Sequence, residues 1–265
     1  MASEHVRGTD LVYDRQGTGP DVVWGHGLTS SMASEDELGL FDFPAIGRTA
    51  TVLRYDARGH GESGSTVDSA DYHWRALAED QLALADRLGI GAYVAGGASM
   101  GAATALHAAV LAPDRIRGLV LVIPPTAWAT RAAQTGVYTT MADLVAAGDH
   151  ETLLAGAAAR PSPDPFTDDP YWGERFERVL TGTDPERLAR VFRGAATTDL
   201  PAEEQVATIA VPTLILAWTG DPGHPASSAA RLQELIAGSE LALAATPDGL
   251  AGWTSRVIEF LGQVS

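Results

Sequence analysis

A serine between two glycines, Gly97-Ala98-Ser99-Met100-Gly101, is the part of this sequence best suited to covalent chemistry. It lies where a short β-branched run gives way to an Ala-rich helical pattern. A sharp strand-to-helix turn leaves no room for side chains beside the serine and lifts its hydroxyl above the sheet, where it can attack an acyl carbon. Ala102, Ala103 and Ala105 let the following helix approach the sheet closely. Acyl transfer also needs donors for the oxyanion that forms. The Met100 N–H supplies one. His26-Gly27-Leu28, directly after an expected strand, can present the Leu28 N–H as the second. Two further polar turns come after strands: Tyr55-Asp56-Ala57-Arg58-Gly59-His60-Gly61-Glu62-Ser63, and Gly220-Asp221-Pro222-Gly223-His224-Pro225. The latter puts the Asp221 carboxylate at the same end of the sheet.

The elements that must position these groups alternate. Strands are expected at residues 10–15, 21–24, 50–55, 92–95, 118–123, 213–218 and 240–244, with helices at 73–88, 99–111 and along the Trp253, Val257, Phe260, Leu261 stripe. This is an α/β pattern: a mostly parallel twisted sheet with helices on both faces, whose ligand sites lie beyond the carboxyl ends of the strands. One stretch breaks the alternation. Residues 126–210 show helical patterns and Pro/Asp/Gly turns but no strand, which reads as a helical lid inserted after the sixth strand. The core is then 1–125 and 211–265. Among the lid's large residues (Trp128, Tyr138, Met141, Phe166, Tyr171, Trp172, Phe176) most are expected to hold the lid's own small core. Trp128, Tyr138 and Trp172, with His26 from the oxyanion loop, are the candidate substrate contacts.

Composition removes several chemistries. The 265 residues carry 34 acidic and 18 basic side chains, a formal net charge of −16, with 45% hydrophobic residues. An acidic balance disfavours nucleic acid and anionic membranes as partners. All the basic residues are Arg, so no lysine Schiff base can form. The absence of Cys removes thiol nucleophiles, iron–sulfur clusters and cysteine zinc sites. No His/Asp pair has helical metal-ligand spacing. Met1–Asp10 lacks the apolar core of a signal peptide, and no apolar run approaches the roughly 20 residues of a membrane span. The expectation is a cytoplasmic enzyme without cofactor or metal, acting on a small molecule.

The H-G-x loop, the D-x-R-G-H-G-x-S turn, the G-x-S-x-G elbow and an acid four residues before a Pro after the seventh strand together resemble the α/β-hydrolase superfamily over nearly the whole chain. Its esterases, lactonases and peroxidase-like hydrolases are the nearest branches. The resemblance implies Ser99 as nucleophile, Asp221 as triad acid, and Leu28 and Met100 as oxyanion donors. Dehalogenase and epoxide-hydrolase relatives carry Asp at the elbow, so Ser99 sets this chain apart from them.

One departure stands out. The family closes its triad with a His before the last helix. The seven His here are His5, His26, His60, His73, His107, His150 and His224, none later. The expected position falls on Asp248, Gly249 or Leu250. A serine without a base retains only residual catalysis. His224, three residues from Asp221, can turn toward Ser99 and is the substitute base considered first; Asp248 is another. The readings are then a serine hydrolase of small, largely apolar esters, lactones or related acyl compounds with a non-standard base; a non-hydrolytic cyclase, isomerase or lyase on the same scaffold; or a ligand-binding pseudoenzyme.

Overall fold

Alternating side chains set the layers. In β6 (Ile116–Val122), Leu119 and Leu121 face one side of the sheet, Val120 and Val122 the other, and all four are fully buried. In β7 (Thr213–Trp218), Ile215 and Ala217 oppose Leu214, Leu216 and Trp218 in the same way. Strands apolar on both faces must be covered on both faces. The computed structural model describes residues 1–169, 172, 174, 177, 178 and 182–264. Among these, eight strands form one sheet in the order β1-β2-β4-β3-β5-β6-β7-β8: β1 (Ala2–Val6), β2 (Thr9–Gly17), β3 (Asp21–Gly25), β4 (Thr51–Tyr55), β5 (Tyr93–Ala98), β6, β7 and β8 (Glu240–Ala244). Only the β1–β2 and β2–β4 pairings are antiparallel.

Strand β1 lies ahead of the first expected strand, within the first ten residues. Arg7 and Gly8 both take positive φ, 45° and 85°, the two-residue hairpin turn that returns β1 onto β2. Only Val6 of this edge strand is buried, so hydropathy gives no sign of it. His5 pairs with Asp10 at 2.7 Å within the hairpin.

Helices α1 (Met32–Leu38), α2 (Phe43–Ile46), α3 (Trp74–Arg87) and α4 (Met100–Leu111) come after the early strands. Between β6 and β7 the described residues contain no strand, only helices α5 (Arg131–Ala147), α6 (His150–Ala158), α7 (Pro185–Ala196) and α8 (Glu203–Val206) with short 3-10 turns. Last come α9 (Ala226–Leu235), α10 (Pro247–Ala251) and α11 (Trp253–Gln263). Helices α3, α4 and α9 cover one face of the sheet, α2 and α11 the other. A third, separate cluster of Met141, Ala142, Val145, Leu153, Leu188, Ala189 and Phe192 belongs to the insertion alone. Tyr171 and Phe176 lie outside the described residues. Among the described residues no helix is long and apolar enough to cross a membrane.

Candidate active site

Ser99 sits between β5 and α4 with φ 53° and ψ −107°, a left-handed conformation that is costly for a residue with a Cβ. The two glycines beside it answer a steric demand. A Cβ on Gly97 would lie 2.1 Å from the Gly25 carbonyl oxygen, and one on Gly101 2.0 Å from the same atom. Helix α4 therefore seats its first turn directly on the end of β3. The Ser99 N–H donates to the Val122 carbonyl at 2.9 Å, tying the elbow to β6.

His224 completes a chain of hydrogen bonds. Its Nε2 lies 2.8 Å from Ser99 Oγ and its Nδ1 2.7 Å from Asp221 Oδ2. An ionised carboxylate only accepts, so Nδ1 carries the proton and Nε2 offers its lone pair to the serine hydroxyl. Asp221 is well anchored: Oδ1 accepts from the N–H groups of Gly223 (2.8 Å) and His224 (3.3 Å), and Oδ2 also accepts from the Trp218 indole N–H at 3.0 Å. Burial alone would push the Asp221 carboxyl up. The charge and hydrogen bond of His224, with the Gly223 and Trp218 donors, outweigh burial and hold it well below the usual carboxylate range.

The His26–Leu28 loop passes close to the serine: a Cβ on Gly27 would lie 3.7 Å from Ser99 Cβ. The Leu28 and Met100 N–H groups donate to no acceptor among the described residues. Met100 opens α4, so its N–H belongs to the unsatisfied, electropositive end of that helix. The Leu28 side chain packs against both the sheet core and the insertion's cluster.

His26, expected to meet substrate, lies elsewhere. It is 1% exposed, its Nδ1–H donates to the Gly27 carbonyl at 2.8 Å, and its Nε2 accepts the Ala57 N–H at 2.9 Å. Both nitrogens are used in bracing the loop, and burial lowers its pKa. His60 is pushed down to about 3, first by burial and then by its neighbour His26, and so stays neutral. Around them the polar turn after β4 is a brace as well. Asp56 accepts from the N–H groups of Met32 and Glu62, and the buried Arg58–Asp80 pair closes at 2.7 Å.

The expected aromatic contacts divide. Trp128 is not available to a substrate through its donors: its N–H meets the Asp199 carboxylate and its indole N–H the Pro201 carbonyl at 3.0 Å, which ties the two ends of the insertion together. Tyr138 stacks on Phe192 in the cluster that Leu28 also touches. Trp172 stacks on Phe166 at 4.5 Å and meets the edge of Trp218 at 5.9 Å, beside the acid loop. Where the family's His was expected, Gly249 packs against Ala244, Leu250 against the α11-side core, and Asp248 is exposed on α10. Trp218 escaped sequence reasoning; the available signal was an indole three residues ahead of the acid.

A family model described as alpha/beta hydrolase fold matches residues 22–246. The 3-oxoadipate enol-lactonase 1 of Acinetobacter baylyi (strain ATCC 33305 / BD413 / ADP1) is 26% identical over 223 residues, which cover 80% of this chain and 79% of that protein. The dihydrolipoyllysine-residue acetyltransferase component of the acetoin cleaving system of Pseudomonas putida is 40% identical over 83 residues, 31% of this chain, but the match spans only 22% of that longer protein. Among solved structures, the enol-lactonase from Burkholderia xenovorans LB400 superposes with a TM-score of 0.82 at 24% identity, covering 98% of this chain and 100% of that one.

Proposed function

Because this chain belongs to the α/β hydrolase fold family, we propose that it is a serine hydrolase of small, largely apolar esters or lactones whose base is His224. The observation that carries this reading is the unbroken hydrogen-bond chain from Ser99 through His224 to Asp221.

In the first half-reaction His224 Nε2 takes the Ser99 proton as Oγ attacks the acyl carbon. The resulting oxyanion is held by the Leu28 and Met100 N–H groups, and the imidazolium by Asp221. His224 then returns the proton to the leaving alkoxide, which departs as the alcohol, or stays tethered where the substrate is a lactone. In the second half-reaction His224 deprotonates a water, which attacks the acyl-serine; the imidazolium then gives that proton to Ser99 Oγ as the acyl–oxygen bond breaks, releasing the carboxylic acid and free Ser99. The apolar cluster against Leu28 supplies a hydrocarbon wall, and a lactone substrate accords with the enol-lactonase relative. The hydrogen-bond chain couples a base to the Ser99 hydroxyl, as formation and hydrolysis of an acyl-serine require, and so supports hydrolysis over a cyclase, isomerase or lyase step without an acyl-enzyme.

The test is turnover of p-nitrophenyl acetate and butyrate with intact mass taken at intervals. Steady release that vanishes in Ser99→Ala and in His224→Ala is expected. A stoichiometric acyl adduct without turnover would mean that His224 does not serve deacylation. Release unaffected by Ser99→Ala would end the proposal.

A further inference from the structure

Trp218 closes β7 and meets both Asp221 and His224. Its indole N–H donates to Asp221 Oδ2, the oxygen that also receives His224 Nδ1–H. Its ring stands edge-on to the imidazole, centroids 6.2 Å apart and planes at 87°. A carboxylate rotates freely about its last bond unless its two oxygens are told apart. Here the backbone donors of Gly223 and His224 take Oδ1, and the indole takes Oδ2.

Trp218 is itself fixed. It is 2% exposed, stacks on Trp253 at 6.3 Å, and meets the edges of Phe166 and Trp172 from the insertion. The same insertion segment donates the Asp164 N–H to the Thr219 carbonyl at 2.9 Å, at the root of the acid loop. So the ring that orients the acid is held by the sheet core on one side and by the insertion on the other.

We propose that Trp218 is a positioning residue: it sets the rotation of the Asp221 carboxylate and walls the His224 imidazole, so that Nε2 faces Ser99. The inference rests on the reading of Ser99, His224 and Asp221 as the catalytic triad. It assigns the indole N–H a role in catalysis that packing alone would not require.

Trp218→Phe keeps an aromatic ring and removes the donor. Loss of one hydrogen bond to a charged acceptor is expected to lower kcat by about 10- to 100-fold with KM changed less than about twofold. The acid limb of kcat/KM moves to higher pH, because a carboxylate with one donor fewer holds the imidazole proton more tightly. The ionisable groups at this loop are His224, Asp221 and Asp164, whose carboxylate lies against Gly220; the substitution takes one donor from Asp221 and touches neither of the others directly. A variant with reduced Tm but unchanged kcat and pH profile would overturn the inference and reduce Trp218 to packing. His224→Ala run alongside separates the two failures. If it is inactive while Trp218→Phe behaves as wild type, only the positioning role falls; if it is fully active, the triad reading falls and takes this inference with it. A second measurement needs no Trp218 variant. In indole-15N-labelled protein, one of the six Trp N–H resonances should titrate together with the His224 ring and stop doing so in His224→Ala. No such resonance would equally overturn the proposal.

Discussion

Two neighbouring strands, β7 and β8, run parallel and end at the same edge of the sheet, yet the loops that leave them differ in kind. After β7 a seven-residue turn carries a half-buried acid and an imidazole three residues apart, both hydrogen-bonded in one line toward Ser99. After β8 the chain turns straight into α10, capped by Thr246 on the Gly249 N–H, and then into α11, whose Trp253 stacks on Phe41 and Trp218. The expected base position, Asp248 to Leu250, therefore lies on a short helix that carries no imidazole. The difference teaches that a triad is a set of distances. On the proposed reading, an i, i+3 turn that aims its imidazole toward the serine supplies the base from the acid's own loop.

That contrast can be broken at several points. The largest effect is expected from His224→Ala, which should cut kcat on p-nitrophenyl acetate by about 10⁶-fold. Combining it with Ser99→Ala should add little, as for residues acting as one unit. A His224→Ala enzyme keeping more than a tenth of its activity would return the base to some other group. In the second loop the expected effect is on stability. Trp253→Ala should cost about 3–5 kcal/mol in urea unfolding, while the folded fraction keeps its KM. A selective loss of kcat without loss of stability would make this loop chemical after all.

A smaller effect concerns pH. The folded-state pKa of Asp221 is depressed, so its contribution to stability is present above the ordinary carboxylate pKa and is lost as pH falls through the lower folded value. Asp221→Asn should therefore remove about 1–2 kcal/mol at neutral pH and flatten the acid side of the stability profile. Equal slopes for both proteins below pH 4 or so would contradict the depressed carboxyl. The smallest effect is a null one. Placing an imidazole by Gly249→His or Leu250→His in the His224→Ala background should restore less than about a tenth of wild-type activity, because Gly249 abuts Ala244 and Leu250 faces the core. Full rescue would show that the loop after β8 can still reach the serine.

Much of this was legible in the residues. Strands apolar on both faces, such as Leu119–Val122, announce a covered parallel sheet. The glycines flanking Ser99 announce a turn with no space. Each feature that stayed hidden has a physical cause. The edge strand β1 buries one side chain, so its pattern is that of a tail. His26 looks like a site residue because it adjoins the expected oxyanion loop, and only the Ala57 N–H on its Nε2 shows that it braces that loop. Trp128 looks like a pocket wall until its two donors are found on Asp199 and Pro201, some seventy residues on. The direction taken by His224 depends on the turn conformation around Pro222 and Gly223, which spacing alone leaves open. The Trp218 bond to Asp221 needs the strand end in three dimensions.

The short span between Asp221 and His224 has a mechanical side. Where acid and base come from separate strands, thermal motion can spoil either of two distances independently. Here backbone bonds within the turn, from Gly223 and His224 back to Asp221, make the pair one small rigid body. On the proposed reading, the separation of that body from Ser99 is then the single coordinate on which turnover depends. As temperature rises, such a catalyst should fail along one motion, a whole-turn displacement away from Ser99, with the acid–imidazole bond still intact in the idle state.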